Sequence, residues 1–233
     1  MIIRTAVSAL AALILTAGIA LAAPTPSPMP SPTMNPQPQG TEIAFVTGIQ
    51  KDLMARFPTS ADAVKAGYFR FGNEDSDGAI SYANLQWQSA DPQHPSQLWY
   101  DVKGNLLGAD FSVLQSGSME PPKLWGVDFQ RWTSFRGHMH YILAGPNGTE
   151  IYGGMSMKKF VAAGGNVNDP GAAALVAALN AAGKPTTLAQ VKKVFLFPSI
   201  WDLIVWVKPN PTGAFADKNP LVTPSATAEK DDM

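Results

Sequence analysis

His138-Met139-His140-Tyr141-Ile142-Leu143-Ala144-Gly145-Pro146-Asn147-Gly148-Thr149-Glu150-Ile151-Tyr152 reads as two short strands around a turn. Residues 138–144 and 149–152 supply the β-branched and aromatic side chains. Pro146-Asn147-Gly148 supplies the bend, because proline presets φ while asparagine and glycine tolerate positive φ. Asn147-Gly148-Thr149 also fits a glycosylation acceptor, but the turn accounts for the same residues without assuming a glycosylating host.

Two more hairpins precede this one. Tyr68–Phe71 and Ile80–Gln88 flank the turn-rich Gly72–Gly78, and Gln97–Val102 and Leu106–Leu114 flank Lys103-Gly104-Asn105. Three hairpins in succession predict an antiparallel sheet. Helical signals lie on both sides of them. Ile43, Val46, Ile49, Leu53 and Phe57 recur at helical spacing, with Thr41 as the cap and Pro58 as the stop. Ser60 caps a short second helix over Ala61–Ala66. Later come a short helix over Ser156–Ala163, an alanine-rich helix opened by Asp169-Pro170, and a turn at Leu188–Lys192. Val194–Val207 is apolar on both faces and broken by Pro198, which predicts one interrupted strand or two short strands near the middle of the sheet. The fold class is α+β: an antiparallel β-sheet built from successive hairpins, with helices packed on one face.

The ends have a different composition. Arg4 precedes an apolar run over Ala6–Ala20, and Ala20-Leu21-Ala22 fits a small-x-small cleavage site. Residues 1–22 are therefore expected to be a signal peptide, short for a membrane span and followed at once by Pro24. Residues 23–40 form a Pro-rich linker, in which proline at nearly every second position prevents regular structure. The globular domain covers residues 41–207, and residues 208–233 form a tail expected to run over the surface into disorder. The expected location is secreted or periplasmic, with no stable span after cleavage.

Composition removes several classes of function. The formal charge is −1 and no basic run exceeds Lys192-Lys193, so nucleic acid is not an expected partner. The chain of 233 residues has no cysteine, which excludes disulfides, thiolate metal sites and a cysteine nucleophile. No phosphate-loop, dinucleotide or Gly-x-Ser-x-Gly signature is present. Asn73-Glu74-Asp75-Ser76-Asp77-Gly78 imitates the start of a calcium loop. Asn84 stands where the closing glutamate belongs, so an acidic turn is the plainer reading.

The three histidines and some of the six tryptophans carry the functional expectations. In an extended strand His138 and His140 point to the same face, close enough to share a divalent metal ion, with His94 as a further ligand. Asp101, Asp110, Asp128 and Glu150 are the acidic alternatives. Trp125 and Trp132 lie in the irregular stretch leading into the histidine strand, placed to line a ligand cleft with His138 and His140. Asp202 sits inside an apolar segment and needs a partner, with Arg70, Arg131 or Arg136 as candidates. Two functions are expected from this pattern. One is a non-catalytic binding or interaction domain whose partner is a small molecule or an envelope protein. The other is a metal-dependent hydrolytic or oxidative enzyme centred on His138 and His140.

Overall fold

The computed structural model describes residues 35–229 except Ser89. The expected signal peptide and the first part of the linker lie outside the described residues. Two helices come first among the described residues: α1, Thr41–Arg56, and α2, Ser60–Lys65. Their caps differ by one residue from the sequence expectation. Gly40, at φ 53°, precedes α1, while the Thr41 hydroxyl donates to the Gly126 carbonyl at 2.6 Å. Thr59 rather than Ser60 caps α2, its hydroxyl accepting from the Asp62 amide.

Nine strands follow among the described residues: β1, Phe69–Glu74; β2, Ile80–Ala83; β3, Gln97–Tyr100; β4, Leu106–Leu114; β5, Thr133–Phe135; β6, His138–Ala144; β7, Glu150–Ser156; β8, Val191–Phe197; and β9, Ile200–Trp206. All pair antiparallel, and they form two sheets: β1-β2-β3-β4-β9-β5 and β7-β6-β8. The three expected hairpins are β1–β2, β3–β4 and β6–β7, the last turning through Asn147 at φ 56° and Gly148 at φ 78°. Two further helices, α3, Met157–Ala162, and α4, Ala172–Ala181, lie between β7 and β8. Helix α4 starts after Gly171, two residues later than Asp169-Pro170 suggested.

The segment around Pro198 behaves differently from a strand near the centre of one sheet. β8 is an edge of the three-stranded sheet, whereas β9 lies between β4 and β5 in the six-stranded sheet. Pro198 and Ser199 carry the chain from one sheet to the other. Proline lacks the amide a continuous ladder would need, so the break falls where the pairing partner changes.

Strand alternation then sets the layers. Leu98, Tyr100, Ala109, Phe111, Leu203 and Val205 project from one face of the larger sheet onto Val46, Ile49 and Leu53 of α1 and Ala63 of α2. In the smaller sheet Met139, Tyr141 and Leu143 pack against Phe160 of α3 and Leu175 and Leu179 of α4. Each sheet thus carries helices on one face only. The other face of the smaller sheet meets the larger one through Phe71, Ala83, Phe195, Phe197 and Ile200.

The tail beyond residue 207 packs rather than merely crossing the surface. Ala214, Phe215 and Ala216 are buried, and the Trp206 indole donates to the Ala216 carbonyl at 2.6 Å. Farther on, the buried Glu74 carboxylate accepts from the amide and hydroxyl of Ser225. Among the described residues no helix is long and apolar enough to cross a membrane.

Candidate functional site

The face of the larger sheet turned away from α1 carries Ser81, Gln97, Trp99, Asp110, Asp202 and Ile204, which share one phase of their strands' alternation. Opposite stand His138 and His140 of β6 with Phe197 of β8. Between them lies a cleft of about 370 Å³, also bordered by Phe71, Asp75, Phe135 and Ile200. Its size falls in the usual small-molecule range of roughly 300–1,000 Å³.

One wall is a pair of imidazoles. The segment around Met139 is extended, as expected, so both rings leave the same face while Met139 is fully buried behind them. Their Nε2 atoms are 2.9 Å apart, and His138 Nδ1 lies 2.9 Å from the Arg136 carbonyl oxygen. A carbonyl can only accept, so His138 carries a hydrogen on Nδ1. Between the two Nε2 atoms one must donate and the other accept. Phe71 meets the His140 ring edge-on at 5.1 Å, and Phe195 stacks on it at 5.5 Å. Burial, reinforced by the neighbouring His138, pushes the His140 pKa down from 6.5 to about 4.

The floor is a pair of carboxyls. Ser112 faces Asp202 directly across β4 and β9, while Asp110 sits one alternation away on the same face. The Ser112 hydroxyl donates to Asp202 Oδ1 at 2.8 Å, and the Trp99 indole donates to Asp110 Oδ2 at 3.0 Å. Asp110 Oδ1 is buried with no hydrogen-bond partner. Burial pushes both pKa values up. The adjacent Asp202 charge raises Asp110 further, to a level well above the ordinary carboxylate range. Two buried carboxyls side by side resist carrying two charges, so the pair holds one proton and one negative charge.

A glycine holds the Trp99 side of the cleft in place. Gly108 is the cross-strand partner of Trp99. A Cβ at Gly108 would stand 2.7 Å from the indole and 2.9 Å from the Val205 carbonyl. Without it the indole lies over the strand, edge-on to Trp206 at 5.4 Å and within reach of Asp110.

The expected site residues are divided between this cleft and other places. His138 and His140 line it. Trp125 and Trp132 do not: they belong to the helix-side core of the larger sheet, where Trp125 stacks on Phe45 at 5.4 Å and Trp132 is 5% exposed. Loop position had suggested a cleft, but the loop folds back under α1. His94 stacks on Trp87 at 4.0 Å and pairs with Asp91 at 2.6 Å. Among the described residues no three His, Cys, Asp or Glu side chains are grouped to hold a metal ion. The three-histidine set is therefore not assembled, and the two cleft imidazoles bond to each other instead. The partner of Asp202 is Asp110 with Ser112, not an arginine. Arg131 pairs with Glu42, and Arg70 lies over the Tyr152 ring. The acidic turn is closed by Asp75 Oδ1, which accepts from the amides of Asp77 and Ala79.

Trp99 and Ser81 were not singled out as lining residues, whereas Asp110, one of the acidic alternatives to His94, does border the cleft with His138 and His140. The signal for Trp99 and Asp110 was present as alternation: Gln97 and Trp99 share one phase of β3, and Gly108, Asp110 and Ser112 share one phase of β4. No protein-family model matches the chain, and no curated protein or solved structure matches it.

Proposed function

We propose that this chain is a non-catalytic binding protein that holds a small molecule in the cleft between its two sheets, and that residues 1–22 direct it to a secreted or periplasmic location. The observation that carries the reading is convergence. Aromatic rings from β1, β3 and β8, two imidazoles from β6 and two carboxyls from β4 and β9 meet around one cavity of about 370 Å³. An apolar lining with a few fixed polar groups is what orients a small ligand. The polar groups are held by strands and by one another rather than by loops, so the cavity is formed before any ligand arrives, and little ordering cost opposes binding. Export rests on the charged start, the apolar run and the Ala20-Leu21-Ala22 pattern of the sequence.

The test is a ligand screen read by melting temperature and tryptophan emission together. A true ligand at 100 times its dissociation constant adds about 2.7 kcal/mol of stability. It should also change the emission of the native protein. In Trp99→Phe the melting shift should persist while the emission change disappears. A broad panel of small polar and aromatic compounds that moves neither signal contradicts the reading, as does a hit whose emission change survives in Trp99→Phe.

A further inference from the structure

The charges around the cleft are one-sided. Asp75, Asp110 and Asp202 border it, and among the described residues no lysine or arginine does. His138 and His140 face them with their Nε2 atoms 2.9 Å apart, so at least one of these two nitrogens carries no hydrogen and the pair cannot hold two positive charges. A buried charge without a partner is costly, and the usual compensation is a pairing cation. Here neither Ser112 nor Trp99, the donors that reach the pair, carries a charge. Asp110 is 95% buried on the floor of the cleft, 5% remaining exposed, and its Oδ1 meets no donor side chain or amide. Above this floor stand the faces and edges of Phe71, Trp99, Phe135 and Phe197. Aromatic faces attract cations, most strongly where water is excluded.

Resting on the reading of the cleft as a binding site, we infer that its ligand is a small organic cation, a primary ammonium on an apolar body, with the ammonium seated on the Asp110–Asp202 pair and the body among the aromatic rings. The ammonium N–H groups complete Asp110 Oδ1 and neutralise the pair, and the apolar body displaces water from the rings. A neutral alcohol of the same shape gains only the second of these. An anion of the same shape is repelled by the floor.

Benzylamine, benzyl alcohol and benzoate share one ring and differ in the charge of one group, so they separate these contributions. Titrated into the full-length protein at neutral pH, benzylamine should bind at least tenfold more tightly than benzyl alcohol, and benzoate more weakly than either. Asp110→Asn combined with Asp202→Asn keeps the shape of the floor and removes its negative charge. This double variant should bring benzylamine down to the level of benzyl alcohol. Equal or tighter binding of the alcohol or of benzoate would overturn the inference. So would an amine preference that survives in the double variant. If the broader screen finds a Trp99-dependent ligand that is neutral or anionic while benzylamine fails, the cation inference falls and the cleft reading stands. If the screen also finds nothing, both fall.

Discussion

Arg131→Ala is expected to lower the stability of the protein by about 3–5 kcal/mol, the cost of leaving one member of a buried ion pair without its partner. Both side chains are 5% exposed. The guanidinium meets Glu42 with two donors, Nε to Oε1 at 3.1 Å and Nη2 to Oε2 at 2.9 Å. It also donates to the carbonyls of Asn35 and Gln37 and lies over the Phe215 ring at 4.6 Å. One side chain therefore ties the end of the linker, the first turn of α1 and the packed tail. Burial alone would raise the Glu42 pKa. The hydrogen bonds from Arg131 and from the amides of Asp128 and Gln39 outweigh it and hold the carboxyl below its ordinary value. Urea unfolding of Arg131→Ala beside the exposed-site control Arg136→Ala checks this. The control should fall within about 0.5 kcal/mol of the parent. A loss below 1 kcal/mol in Arg131→Ala would show that Glu42 finds water or another donor.

The second large effect is a dependence on pH from His140. Its folded pKa of about 4 lies below the ordinary 6.5, so the unfolded chain takes up a proton that the folded protein refuses. Stability from this group is full above pH 6.5 and is lost as pH falls toward 4, by roughly 3 kcal/mol in total. Other groups titrate in the same range. The raised pKa values of Asp110 and Asp202 act with the opposite sign, because protonation relieves their repulsion as pH falls. The lowered pKa of Glu42 adds to the loss, below its ordinary value of 4.5. The difference between the parent and His140→Gln, measured at each pH, isolates the histidine. That difference should change by about 3 kcal/mol between pH 7 and pH 4. A difference that stays flat would mean that His140 is solvated in the folded protein.

Much of the architecture could be read from local chemistry. The hydrophobic spacing over Ile43–Phe57 produced α1 at Thr41–Arg56, and the Pro146-Asn147-Gly148 bend produced the β6–β7 hairpin. What local chemistry could not supply was partnership across the chain. Pro198 announced a break, but nothing near it revealed that Phe195 and Ile200 would serve different sheets. Asp202 was conspicuous as a carboxyl in an apolar strand. Its neighbour Asp110 lies on β4, far away in sequence, and only the β4–β9 register brings the two together. An opposite charge was the natural expectation, and a second carboxyl with a shared proton is the less common solution. Trp125 and Trp132 show the converse error. Irregular chain suggested exposure, yet the positive φ of Trp125, 56°, turns that stretch back onto Phe45 and Phe111 of the core. The tail was misjudged for a related reason: its prolines and polar residues signalled surface, and its few apolar ones, Ala214, Phe215 and Ala216, nonetheless fill the gap beside Trp206 and Arg131.

The most direct measurement of the cleft follows the tryptophan indole N–H resonances and the histidine ring resonances while a ligand found by the screen is added. The account predicts that the Trp99 indole, bonded to Asp110, shifts together with the rings of His138 and His140, while the indoles of Trp125 and Trp132 stay where they were. Movement of Trp125 or Trp132 with Trp99 and both histidines unchanged would place the ligand on the far side of the larger sheet and contradict the account.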